Sequence, residues 1–175
     1  MATSSTPIHY DVGATTGAPK GVVTLLGRLL FVAVFIMSGP RHFSSQVIGY
    51  AASQGVPLAS ILVPLSGVLA LAGGLSILLG YRAKIGAGLI ALFLVPVTLM
   101  MHKFWGIGDP MMAQMQMAMF VKNVSMLGAA LLISQLGAGP FSLDARRLQS
   151  KTGSRVEESF SARRTATSTL EREVL

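Results

Sequence analysis

Apolar residues along this chain gather into four long stretches, separated by short polar or glycine-rich breaks. The first runs Val22–Gly39 and ends at Pro40 and the polar segment Arg41–Gln46. Val47–Gln54 reads as a short interfacial helix before Gly55-Val56-Pro57. The second stretch runs Leu58–Leu79, with Gly80 as its C-cap. Only Tyr81-Arg82-Ala83-Lys84 separates it from the third, Ile85–Met101, so the two should be antiparallel neighbours, and Pro96 should kink the third. Asp109-Pro110 suits a helix start, and the fourth stretch, Met112–Leu136, stops at Gly137-Ala138-Gly139-Pro140. A helix needs about 20 apolar residues to cross a bilayer, and each stretch is near that length. Strands of a membrane barrel would alternate every second residue and be shorter. Four all-apolar helices cannot all be buried in a soluble chain of 175 residues. The pattern predicts an all-α fold, a four-transmembrane-helix bundle over 22–143, with disordered polar tails at 1–21 and 144–175.

Composition agrees. The hydrophobic fraction is 51% and the charged fraction 12%, about half the charge of an average soluble domain. Asp109 is the sole acidic residue between Val12 and Leu143. No cysteine is present, which excludes disulfides, thiol redox chemistry and thiolate-bound metal clusters. The N-terminal segment lacks a small-residue cleavage site after the first apolar stretch, so that stretch is expected to stay as an anchor. The net charge of +7 by itself suggests nucleic acid, but seven of the fourteen Lys/Arg follow Leu143, with Phe160 the one aromatic among them. They read as a topology signal or an anionic-lipid contact, not a nucleic-acid binder. Lys20, Arg82, Lys84, Arg146, Arg147, Lys151 and Arg155 fall on one side, and Arg41 and Lys103 on the other. This bias predicts both termini in the cytoplasm.

A few polar residues break the apolar runs. Arg28 lies inside span one, and Lys122-Asn123 inside span four. Ionised groups at such depth either snorkel or face a partner or cavity. His42 ends span one, while His102 and Trp105 follow span three, so alternation of direction puts all three on the outer side. Span four starts there and reaches Lys122 after two to three turns. Arg28, His42, His102, Trp105, Lys122 and Asn123 are therefore the candidate ligand-binding residues, suited to a quinone head or an oxyanion. The competing reading makes His102 and Trp105 an interfacial belt. Histidine titrates near neutrality and could pass a proton to a reduced quinone. Met112, Met115, Met119 and Met126, with Met100 and Met101 beside His102, raise a copper alternative, since thioether and imidazole suit Cu(I). Methionine is also a common packing residue. Gly67, Ala70 and Gly74, with Gly73, Gly86 and Gly88, mark close helix contacts. No phosphate loop, zinc motif, nucleophile elbow or dinucleotide fingerprint occurs.

Taken in order, several short pieces resemble the DoxX family of bacterial membrane proteins over Leu25–Asp144. They are Arg28 in GRLLFVAVFIMSG, Gly55-Val56-Pro57, Gly73-Gly74 with Gly80, and His102-x-Phe104-Trp105. Phe120-x-Lys122-Asn123 and Gly137-x-Gly139-Pro140-x-Ser142-Leu143-Asp144 complete the set. The chain departs from that pattern twice. Arg41 after Pro40 stands where a lysine is usual, and Ala70 where a glutamate is expected before the paired glycines. The resemblance implies a four-helix inner-membrane bundle. It also implies an accessory role in a membrane redox system, as some members resemble subunits of thiosulfate:quinone oxidoreductases. Quinone is the cofactor so implied. The partners are the lipid bilayer, redox proteins of the membrane or of the aqueous phase, and further copies in an oligomer. Activity of this chain alone is not expected, because it has no acid–base pair or cofactor motif. The other readings are a structural membrane subunit without a ligand, and a transporter of small solutes or copper.

Overall fold

A computed structural model describes residues 18–173; most of the expected tail 1–21 lies outside the described residues. Six α-helices follow one another: α1 Ala18–Ser38, α2 Ser45–Ser53, α3 Ala59–Leu79, α4 Ala83–Met101, α5 Pro110–Leu136 and α6 Leu143–Glu173. A 3₁₀ turn, Gly39–Phe43, joins α1 to α2. Among the described residues, four segments are long and apolar enough to span a membrane: Gly21–Phe43, Ala59–Leu79, Ala83–Met101 and Pro110–Leu136. They match the four apolar stretches, and α2 takes the place of the expected interfacial helix. We call the end where α1 begins and α6 departs the tail end, and the opposite end the far end.

The core sits where α1, α3 and α4 meet. Val32 and Phe35 of α1, Ala70 and Ile77 of α3, and Ile90, Phe93 and Leu94 of α4 are buried together, and Ala130 brings α5 against them. Phe35 meets Phe93 edge-on at 6.1 Å. The small residues of α3 divide between two neighbours. A Cβ on Gly73 would lie 2.8 Å from the Gly86 carbonyl oxygen, so α3 and α4 touch backbone to backbone there. Gly67 and Gly74 face His42 and Ile36 instead, and Gly88 meets no neighbour. Such close approach replaces the hydrophobic drive that helices lack in lipid.

Caps set the helix ends. The Asp109 carboxylate accepts from the Met112 N–H at 2.8 Å, and Pro110 follows at the first helical position. Gly80, at φ +62°, closes α3, and the Tyr81 N–H returns to the Ser76 carbonyl at 3.0 Å.

The C-terminal tail departs from expectation. It is not disordered: α6 is helical over Leu143–Glu173. Ser142 caps its start, accepting from the Ala145 N–H at 3.1 Å. No proline interrupts the chain after Pro140. A helix can form here without the apolar stripe that would advertise it.

Candidate functional site

The structure sorts the six candidate residues by place. His42 and His102, sixty positions apart in sequence, line one cavity of about 480 Å³ at the far end. Its walls come from α3 (Val63, Ser66, Leu69) and α4 (Phe93, Pro96, Val97, Met100), and Val47 and Ala51 of α2 contribute from the side. Local sequence explains both histidine positions. Pro40 drives the 3₁₀ turn that carries His42. His42 packs with its Cβ against Gly67, where a Cβ would come within 2.8 Å. His102 is the C-cap of α4 and donates its backbone N–H to Thr98 at 3.3 Å.

Hydrogen bonds set the tautomers. Ser66 Oγ donates its one proton to the Val63 carbonyl at 2.7 Å. It is then the acceptor toward His42 Nδ1, 3.1 Å away, so Nδ1 of His42 carries the proton. His102 Nδ1 lies 3.0 Å from Gln116 Oε1, an acceptor, so the same tautomer is assigned there. In the neutral form each ring keeps its Nε2 lone pair for another partner. The His42 ring lies 5.6 Å from Phe93, tilted by 30°. Pro96 has no N–H to give, which leaves the Leu92 carbonyl without its usual i+4 donor, and both residues line the cavity. The site is thus an apolar space with two imidazoles on its rim. Among the described residues no group of three or more His, Cys, Asp or Glu is placed to hold a metal ion.

Arg28 is elsewhere. It is buried at the tail end, 4% exposed, and donates through Nη2 to the Phe141 carbonyl. Its Nη1 lies against Gly80, at the C-terminus of α3, while Nε and Nη1 have no hydrogen-bond partner. The negative end of the α3 dipole faces this guanidinium. Asp144 completes the same knot. Its carboxylate accepts from the N–H groups of Arg82 at 2.9 Å and Ala83 at 3.1 Å, capping α4, and its own N–H donates to Gly80 at 2.9 Å. The residues Gly137–Asp144 are therefore a clamp over α1 and the α3–α4 turn.

The other three candidates do not line the cavity. Trp105 is exposed and sits in an aromatic trio with Phe104 and Phe120, at 5.4 and 6.0 Å. Lys122 is exposed, and its Nζ lies 3.3 Å from Met119 Sδ, one turn nearer the far end. That is the direction in which helical side chains lean. Its neighbour Asn123 is buried at 5% exposure, as residues about 100° apart on a helix must differ in facing. The methionines separate too. Met112, Met115 and Met119 lie on exposed surface, and Met126 packs on the core. Ser66 and Gln116, which orient the two imidazoles, were not singled out by sequence. Each is one of several polar residues in its helix, with Ser60 and Ser76 in α3 and Gln114 in α5, so nothing in the sequence picked it out.

Comparison with known proteins gives the family. The inner membrane protein YphA of Escherichia coli (strain K12) is 31% identical over 133 residues, covering 74% of this chain and 94% of its own length. Inner membrane protein YqjF of the same organism is 30% identical over 131 residues, 71% of this chain and 92% of its own. The DoxX family profile matches residues 23–103. The chain belongs to the DoxX family. It is a multi-pass protein of the bacterial inner membrane. The matched segment of this DoxX protein runs from α1 to the end of α4 and includes both cavity histidines. No solved structure matches the chain.

Proposed function

We propose that this DoxX-family protein is a non-catalytic membrane subunit that holds a quinone-sized ring in the far-end cavity, between His42 and His102. One observation carries the reading: two imidazoles from distant segments share an otherwise apolar space of about 480 Å³, within the range of small-molecule pockets. With Nδ1 of each ring bound to the protein, the free Nε2 atoms accept hydrogen bonds from ring hydroxyls of a quinol. Protonated, they donate to quinone carbonyls. The chain supplies no electron carrier of its own, so redox chemistry in this reading belongs to a partner.

Trp105 is the sole tryptophan of the chain and follows His102 by three positions, so its fluorescence reports on the site. Titrating the purified protein with a short-chain quinone should quench it saturably. His42→Ala and His102→Ala should each weaken binding about tenfold, the worth of a lost hydrogen bond in an apolar site. Unchanged affinity in both variants contradicts the proposal.

We assign the tail end to the cytoplasm. Arg82, Lys84, Arg146, Arg147, Lys151 and Arg155 lie there, against Arg41 and Lys103 at the far end. A cysteine introduced at Ser45 should react with an impermeant maleimide added outside intact spheroplasts, and one at Ser150 should not.

A further inference from the structure

At the tail end a second cavity of about 570 Å³ opens between the start of α4, the end of α5 and the first two turns of α6. Arg82, Lys84, Arg147 and Lys151 stand around it, and Ile85, Leu136 and Leu148 supply its apolar surface. One carboxylate is present, that of Asp144, and both of its oxygens are already held by the backbone N–H groups of Arg82 and Ala83. Among the described residues the four cations have no carboxylate partner. Arg82 and Arg147 meet the Tyr81 ring instead, at 5.8 and 4.5 Å from its centroid. The groove is anchored, because Asp144 and Ser142 fix the first turn of α6 against the α3–α4 turn.

We infer that this groove binds the phosphate headgroup of an anionic phospholipid. Four cations around one space, none neutralised by a carboxylate among the described residues, attract a phosphodiester. Two features favour a lipid over a free anion. The groove lies at the ends of membrane-spanning helices, at headgroup level. Its apolar residues Ile85 and Leu136, 57% and 79% exposed, continue onto the outer surfaces of α4 and α5, where acyl chains run. The lipid then ties α6 to the bundle through its head and to the bilayer through its tails.

The test uses the full-length protein in a neutral detergent, with lipid binding read by native mass spectrometry and by thermal stability. Phosphatidylglycerol should bind and raise Tm, while phosphatidylcholine and millimolar inorganic phosphate should not. Among the described residues Lys84 and Lys151 make no side-chain hydrogen bond or ring contact, so Lys84→Gln/Lys151→Gln should leave the fold intact. It should weaken phosphatidylglycerol binding at least about tenfold. Lys151→Gln alone, on an exposed turn of α6, should weaken it several-fold, and Arg155→Gln, outside the groove, should change it less than about twofold. Equal binding of phosphatidylcholine overturns the proposal, as does full binding by the double variant. An equal Tm rise with inorganic phosphate shows a soluble-anion site and overturns the assignment to lipid.

Discussion

The two ends of the bundle use polar residues in opposite ways. At the tail end Arg28 is buried, and Phe141, Ser142, Gly80 and Asp144 close around it. Around the guanidinium itself no space is left, although a groove opens on the outer side of the same clamp: a Cβ on Gly80 would lie 2.3 Å from the Ser142 Cβ and 2.5 Å from Arg28 Nη1. At the far end His42 and His102 are half-buried on the rim of an open cavity, each bound to the protein through one nitrogen. A polar residue in an apolar chain is thus no guide to a ligand by itself. What separates the two cases is whether room remains beside the group after its protein bonds are made. A filled knot holds helices together, and a half-satisfied rim can hold something else.

Substitutions should break this contrast in order of size. Gly80→Val forces a branched side chain into a left-handed backbone position and onto Ser142. It should cost at least about 3 kcal/mol of stability, read as a large drop in Tm. Arg28→Ala strands the Phe141 carbonyl and leaves a hole, a loss of about 2–4 kcal/mol. Quinone affinity of the folded fraction should stay unchanged, since the cavity is at the other end. Asp144→Ala uncaps α4 and should cost about 1–2 kcal/mol. His102→Ala should invert the pattern, with stability within about 1 kcal/mol of wild type and affinity falling about tenfold. A tail-end variant that changes affinity while folded, or a histidine variant that unfolds the protein, would erase the distinction.

The smallest effect is electrostatic. The Arg147 guanidinium beside the Tyr81 ring, together with the charge of Arg82, holds the Tyr81 phenol below its ordinary value of 10.0. A lowered folded-state value favours the charged form. Its contribution is therefore absent near neutrality and grows only as pH rises from the folded value toward the unfolded one. An ultraviolet titration should show one tyrosine ionising early, and Arg147→Gln should return it toward the ordinary range.

Much of the fold was legible because membrane spans are written in length and hydropathy alone. The shared end of His42 and His102 was legible too. Each closes a span running in the same direction, so topology places them together without any side-chain detail. Other placements were not. Arg28 bonds to a carbonyl 113 positions away, which no local pattern reveals. Lys122 and Asn123 read as a pair, yet helix geometry puts one outside and one inside. α6 carries no apolar stripe, and propensity alone is a weak guide to a polar helix.

The central claim is that a ring-shaped ligand sits between His42 and His102. A photoreactive quinone analogue crosslinked to the protein in membranes tests it most directly. The account predicts labelling confined to peptides around His42–Val56, Leu62–Leu69 and Leu92–His102, competed by excess quinone and lost in His42→Ala/His102→Ala. Labelling spread along the exposed face of α5, uncompeted and equal in the double variant, would contradict it.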